Sequence, residues 1–342
     1  MLRARQNDRR IAGSFTSSTP PLRSLVACNG MNVNEQADAV GSLAPFLAKH
    51  GLRGEVRYMG GGHINFVYAV GDDFILRVNR PDRDTEDAYT ESVAVPAVCA
   101  AGIKAPKLLV FDDSRDAIES VVTVYERAAG VALANVRVDQ RELPDLYREV
   151  GREIGALHTR VTHVDDPNGW LDKPYFCDPR VELETARKEL KVELVTYDWL
   201  AKWNDRLAPA IDAPGATRFV HNDLHAGNTM VLDGPLRLSA VIDWGDACWG
   251  DPVLDMERVP IWATPWLLES YQEATGLVDE VFVGRVLAHV LGTTLYKACD
   301  PEFDPTEAPW HPFPNAFVFN LVRLMRMELP SEWRAWLPDA PL

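Results

Sequence analysis

His221-Asn222-Asp223-Leu224-His225-Ala226-Gly227-Asn228, followed by Val241-Ile242-Asp243-Trp244-Gly245, is the stretch on which the reading of this chain turns. It sets a carboxylate, Asp223, and an amide, Asn228, in one loop, and a second carboxylate, Asp243, two residues before a glycine. Between them, Thr229 to Leu232 and Leu236 to Ile242 flank Asp233-Gly234 and predict a β-hairpin. Such a hairpin brings Asn228 and Asp243 side by side at its open end. A carboxylate able to accept or orient the proton of a hydroxyl, with an amide oxygen and a second carboxylate able to hold hard Mg²⁺ ions, is equipment for phosphoryl transfer. A lone His-Asp-Asn group would be an ordinary hydrogen-bonded turn; the hairpin around it favours the chemical reading.

The rest of the composition agrees. The chain has 342 residues, 46% of them hydrophobic, enough for one large core or two joined lobes. No apolar run approaches the roughly 20 residues that cross a bilayer, so no membrane association is expected. Cys28, Cys99, Cys177, Cys248 and Cys299 are odd in number and scattered without C-x-x-C spacing, which argues against a disulfide framework or a zinc site and for a reducing cytoplasm. Residues 1–30 carry Arg3, Arg5, Arg9, Arg10 and Arg23, a Ser/Thr/Pro cluster and only Asp8 as an acid. That composition cannot build a core, and a disordered extension, or a start upstream of the true Met31, is favoured over a transit peptide.

From Asn34 to His50 the pattern predicts an amphipathic helix. Glu55 to Met59, Asn65 to Val70 and Phe74 to Asn79 read as a strand meander joined by Gly60-Gly61-Gly62 and Gly71-Asp72-Asp73. A helix from Glu86 to Ala101 and two more strands, Lys107 to Phe111 and Ser120 to Tyr125, complete that half. From Leu143 the period becomes helical, with Leu143, Leu146, Val150, Ile154 and Leu157 on one face. Apart from the hairpin, the remainder reads as helical, without internal repeats.

The H-x-D-x-x-x-x-N loop and the second aspartate resemble the aminoglycoside phosphotransferase family, small-molecule kinases built on the protein-kinase fold. The resemblance implies an α+β, bilobal, protein-kinase-like fold, with a nucleotide-binding lobe over residues 31–128 and a catalytic and acceptor-binding lobe over 129–342. It implies Asp223 as base, Asn228 and Asp243 as Mg²⁺ ligands, and ATP, or alternatively GTP, as phosphoryl donor. Gly61, Gly62 and Asn65 lie where a flexible turn closes over the phosphates; glycines let backbone N–H groups approach without a Cβ in the way. An ordinary hairpin loop would look the same.

Arg77 stands where kinases usually have a phosphate-binding lysine, a departure that changes the geometry from a point charge to a planar fork. Its expected partner is Glu91, with Glu86 as rival. The inter-lobe linker is expected at Tyr125-Glu126-Arg127-Ala128, where the purine meets backbone groups of Glu126 and Ala128. Tyr125 would guard the depth of the purine pocket, and so bear on the choice between ATP and GTP. His158, His221 and His225 are read as loop-ordering residues, Asp251 as a helix cap and Asp255 as a brace for the catalytic loop.

Several competitors fall away. After Asp243 there is no A-P-E segment, Trp244 replaces the usual Phe, and no lysine stands two residues after Asp223 as in Ser/Thr protein kinases. A small hydroxylated acceptor is therefore expected, held by the helical regions 168–212 and 262–326. From Gly151 onward there are 30 acidic and 17 basic residues, about −13 of the net −15. An acidic cleft suits a cationic acceptor and disfavours nucleic acid; a generally acidic, soluble surface reads the same way. Candidate acceptor acids are Asp178, Glu182, Glu184, Asp300, Glu302, Asp304 and Glu307. No protein partner is evident. An antibiotic-resistance kinase leads, a metabolic kinase for a sugar, choline-like amine or amino alcohol follows, and intact Asp223, Asn228 and Asp243 argue against a silent binding protein.

Overall fold

Leu76 and Val78 alternate with Ile75 and Arg77, and this period of two divides the first half of the chain into two faces. The computed structural model describes residues 42–62, 64–139, 141–232, 234, 236–300 and 314–339. A short helix α1 (Ala44–Lys49) precedes strands β1 (Val56–Gly61), β2 (Asn65–Val70) and β3 (Phe74–Asn79), helix α2 (Glu86–Ala100), and strands β4 (Leu108–Asp112) and β5 (Val122–Glu126). The sheet runs β1-β2-β3-β5-β4 and is antiparallel throughout. Tyr68, Val70, Leu76, Val78, Val122 and Val124 form one apolar face, closed by Phe46 of α1 and by Leu43 just before it. Ile75, Arg77 and Tyr125 fall on the other, toward Ala94, Val95 and Val98 of α2. One strand thus serves both a dry core and a charged site.

The chain leaves β5 and, within a few residues, enters β6 (Val131–Ala132), which pairs with the hairpin that follows Asn228 through Val131 and Val231. Gly130 between them has φ +88°, and a Cβ there would lie 2.0 Å from the Val231 carbonyl oxygen. Only glycine fits. Helices α3 (Leu143–Arg160), α4 (Pro179–Lys188) and α5 (Leu194–Ile211) follow, then β7 (Arg218–Val220), the hairpin β8 (Thr229–Val231) and β9 (Leu238–Val241), and β10 (Cys248–Gly250). A 3₁₀ turn, Pro252–Met256, leads to α6 (Thr264–Thr275), α7 (Phe282–Cys299), α8 (Pro314–Met325) and α9 (Ser331–Trp336). Leu143, Leu146, Val150, Ile154 and Leu157 are all buried, as their spacing predicts, and α3 lies along α6. Helix α7 is buried from Phe282 to Leu295 and is the central post of this part, against α4 and α5.

A small antiparallel sheet joined to a larger, mainly helical part is the expected α+β bilobal, kinase-like fold. The differences are local. Of the helix predicted over 34–50, Ala44–Lys49 is seen and 34–41 lie outside the described residues. β1 runs on to Gly61 because a bulge between Tyr58 and Gly60 carries the pairing past the turn. Ser120 is drawn out of β5 by its hydroxyl, which donates to the Asn79 carbonyl at 2.9 Å. β6, β7 and β10 are not among the strands that the sequence predicts; two or three residues are too few to show a period.

Candidate active site

Asn222 and Asp243 both sit in the left-handed region, at φ +65° and +66°. Among residues with a Cβ, Asn and Asp tolerate this best, and such conformations gather at functional sites. Asp255 holds the first of these turns: its carboxylate accepts from the backbone N–H groups of His221 (3.1 Å) and Asn222 (2.7 Å) and lies 2.9 Å from His158 Nε2. His158 Nδ1 in turn lies 2.9 Å from the Tyr271 hydroxyl. Asp251 caps the 3₁₀ turn by accepting from Val253 N–H at 3.1 Å. His221 Nδ1 accepts from Asp223 N–H (3.2 Å), so its Nε2–H is free to donate to the Ile242 carbonyl (3.0 Å). The imidazole therefore ties the Asp223 loop to the residue before Asp243.

On that frame Asn228 Nδ2 donates to Asp223 Oδ2 at 2.8 Å and to the Asp223 carbonyl at 3.0 Å. His225 Nδ1 accepts from Gly227 N–H, leaving Nε2 3.4 Å from Asp223 Oδ2. Asp223 Oδ1 is paired with Arg258 Nη1. Burial pushes the Asp223 carboxyl up, but the Arg258 guanidinium and the two imidazoles outweigh it and hold the group far below the usual carboxylate range.

The second half of the site is an ion-pair chain across the two parts of the molecule. Arg77 Nη1 donates to Glu91 Oε1 and Nη2 to Asp243 Oδ1, the latter at 2.9 Å. Glu91 Oε1 also accepts from Trp244 N–H (3.3 Å), and Oε2 from the Tyr125 hydroxyl (2.6 Å). Glu91, only 2% exposed, is thus the partner of Arg77, and the rival Glu86 is not. Burial pushes the Glu91 carboxyl up against the opposing pull of Arg77. Tyr125, also buried, is held by its hydroxyl on Glu91 and its own ionisation is pushed well up by burial and that carboxylate.

The remaining nucleotide-site candidates lie at opposite ends of the sheet, Gly61, Gly62 and Asn65 at one and Glu126 at the other. Gly60, with φ +125°, opens the turn before Gly61 and Gly62, and the Gly62 carbonyl accepts from Arg80 Nε at 3.2 Å. Asn65 begins β2 opposite Asn79 and is buried. Glu126 N–H donates to the Lys107 carbonyl while its side chain pairs with Lys107 Nζ (3.0 Å). Ala128 lies in the stretch between β5 and β6, outside both strands.

A family model described as "Phosphotransferase enzyme family" matches residues 55–280, the span that holds every one of these groups. This chain belongs to that family. The phosphotransferase is 25% identical over 215 residues to hygromycin-B 4-O-kinase of Escherichia coli, covering 58% of this chain and only 58% of that kinase's length. It is 25% identical over 286 residues to stress response kinase A of Escherichia coli (strain K12), covering 72% of this chain and 79% of that one. Among solved structures it resembles a choline/ethanolamine kinase family protein from Mesorhizobium loti, with TM-score 0.57, 19% identity and coverage of 88% and 97%. The GDP complex of aminoglycoside 2'-phosphotransferase-IIIa gives TM-score 0.56 at 15% identity, covering 85% of this chain and 97% of that one. These likenesses show the fold. Family membership places the chain among phosphotransferase enzymes.

The candidate site also includes residues that the sequence did not point to: Arg258 on Asp223, with Asp87, Asp246 and Glu257 nearby. Asp246 carried a signal in its position three residues after Asp243; the others carried none. Of the acids proposed for the acceptor, Asp178 instead caps α4 and pairs with Arg180, Glu184 accepts from Tyr197, and Asp300 pairs with Lys297. Glu182 is buried, while Glu302, Asp304 and Glu307 lie outside the described residues.

Asp246 yields a stability prediction. Burial, then the charges of Asp223, Asp87 and Asp243 against the opposing Arg258, push its carboxyl up to about 7. The folded chain therefore binds this proton more tightly than the unfolded one, and stability falls as pH rises from about 4 to about 7. Asp246→Asn removes that penalty. In Mg²⁺-free buffer at pH 8 it is expected to raise Tm by about 3 °C, on the order of 1–2 kcal/mol for a partly exposed group, and to add nothing near pH 4. Equal melting differences at the two pH values would rule out the electrostatic cause.

Proposed function

We propose that this phosphotransferase moves the terminal phosphoryl of a Mg-nucleotide onto a hydroxyl of a small molecule, with an aminoglycoside or other hydroxylated antibiotic as the leading acceptor class. The observation that carries the reading is the convergence on one cleft of Asp223 with Asn228 and of Asp243 with Arg77 and Glu91, three segments remote in the chain. Asp223, kept ionised and pointed by its neighbours, takes the acceptor proton as base. Arg77, steadied by Glu91, leaves a guanidinium edge for the phosphates, and backbone groups of Gly61, Gly62, Glu126 and Ala128, with Asn65, line the nucleotide's path.

Asn228 spends its nitrogen on Asp223, so its oxygen is the end available to a cation, and Asp243 has Oδ2 to offer while Oδ1 stays on Arg77. Two hard oxygens fit a Mg²⁺ that keeps waters and takes phosphate oxygens, and when bound it would neutralise the phosphate charge. Among the described residues no group of three or more His, Cys, Asp or Glu could hold an ion alone. Asp243→Asn is therefore expected to weaken Mg-nucleotide affinity by about tenfold or more, read by calorimetric titration. Unchanged affinity would remove Asp243 from the metal site.

The acceptor class is supported by the hygromycin-B 4-O-kinase match and the acidic balance of the chain. A second reading, a metabolic kinase for a sugar, choline-like amine or amino alcohol, is favoured by the longer match to stress response kinase A. Tyr125 bears on the donor, because its bond to Glu91 fixes the ring beside the ion pair and limits how far a purine can enter. The four described cysteines are free, which supports a reducing cytoplasm. Among the described residues no helix is long and apolar enough to cross a membrane. The deciding experiment is a γ-phosphate transfer screen over aminoglycosides, hygromycin B, amino sugars, choline and simple alcohols, with ATP and GTP side by side. Transfer to an antibiotic supports the first reading and transfer only to a metabolite the second; no transfer and no Mg-nucleotide binding overturns both.

A further inference from the structure

The catalytic loop brings no lysine or arginine of its own, since Leu224 and His225 follow Asp223 where a Ser/Thr protein kinase has its lysine. The tertiary structure supplies one from elsewhere. Arg258, just beyond the 3₁₀ turn, reaches back so that Nη1 pairs with Asp223 Oδ1. Its Nε is buried without a hydrogen-bond partner, 3.6 Å from Glu257 Oε1. Three carboxylates, Asp223, Glu257 and Asp246, act on this one guanidinium.

Glu257 is itself engaged: Oε2 accepts from the Thr293 hydroxyl at 3.1 Å and lies 3.6 Å from His289 Nδ1, both on α7. Arg258 is therefore anchored to the central helix of the large part while it contacts the base. A guanidinium carries five N–H donors in a fixed fork. Nη1 pairs with Asp223 and Nε is buried toward Glu257, which leaves the other Nη donors for a further acceptor at the place where phosphate and hydroxyl must meet.

We propose that Arg258 stands in for the missing lysine: it positions the Asp223 carboxylate and turns its remaining donors to the phosphoryl group in transfer. This rests on the phosphoryl-transfer reading above. In that step the bond from the acceptor oxygen to phosphorus forms as the bond from phosphorus to the leaving nucleoside diphosphate breaks, and the hydroxyl proton passes to Asp223. In the transition state negative charge is spread over the phosphoryl oxygens lying between those two bonds, and a fixed guanidinium there acts on the transition state more than on the bound nucleotide.

The test uses the full chain with Arg258→Met, Arg258→Gln and Arg258→Lys. Turnover is followed as transfer from MgATP to water and to whichever acceptor the screen returns, and binding by titration with MgADP. Arg258→Met and Arg258→Gln are expected to lower kcat by about 100-fold while the nucleotide KM and MgADP affinity stay within about twofold; Arg258→Lys is expected to recover about tenfold of the loss. A kcat within about threefold of wild type in either uncharged variant would overturn the inference. So would a loss of MgADP affinity equal to the loss of kcat, the mark of a structural role. If Arg258→Met does not fold, Arg258→Gln decides by the same criteria. A failure here is separable from failure of the function itself: an active Arg258→Gln beside an inactive Asp223→Asn sinks only the role of Arg258.

Discussion

Asp223→Asn is expected to lower kcat by about 100-fold or more with Mg-nucleotide affinity within about twofold of wild type, the scale on which a positioned base contributes. The substitution keeps the shape of the side chain and removes its charge. It also spoils both of its contacts. One carboxylate oxygen faces Arg258 Nη1 and the other accepts from Asn228 Nδ2, so an amide must turn its NH₂ against a donor whichever way it lies. Arg77 and Glu91, proposed above for the nucleotide, make no contact with Asp223 and keep their pairing. Steady-state kinetics in saturating nucleotide, with binding measured separately, reads the split. A near-normal kcat would remove Asp223 from the base position and, with it, the proposed course of the reaction.

Asp255→Ala is expected to be the most destabilising change in the site, at about 3–5 kcal/mol in denaturant titration. The carboxylate is fully buried and serves His158, His221 N–H and Asn222 N–H together. Its removal strands two backbone donors and an imidazole in a dry interior, and it releases the left-handed turn at Asn222 on which Asp223 is mounted. Burial alone would push the Asp255 carboxyl up, but the bonds from His158 and the backbone hold it below its ordinary value. Its stabilising share is thus present above the unfolded carboxyl's range, near pH 4, and is lost as pH falls toward the folded value. The Ala variant should differ most from wild type at neutral pH and least in acid. A melting temperature within about 2 °C of wild type at pH 7 would show that the brace is dispensable.

The Asp223-to-Asn228 loop, the hairpin after it and the apolar stripe of α3 were legible in sequence because each is local: spacing within a few residues determines which groups share a turn or a face. Arg77 and Glu91 could be matched because strand and helix order in this family puts them face to face, and the pair is there. The bracing by Asp255 and His158 was likewise readable from motif position. Short strands such as β6 and β10 were not, since their pairing partners are remote in the chain and two or three residues carry no period.

The charges that tune the site were the least legible part. Nothing near Arg258 in the sequence points to Asp223, and nothing near Tyr125 points to Glu91; each pair meets only when sheet, hairpin and helices are packed. The sequence by itself determined which functional groups exist and how the nearest of them are spaced, through local backbone geometry. Only the tertiary structure decided which charges share one buried volume, because burial removes the water that would screen them and leaves distance in space, not in sequence, to set their strength.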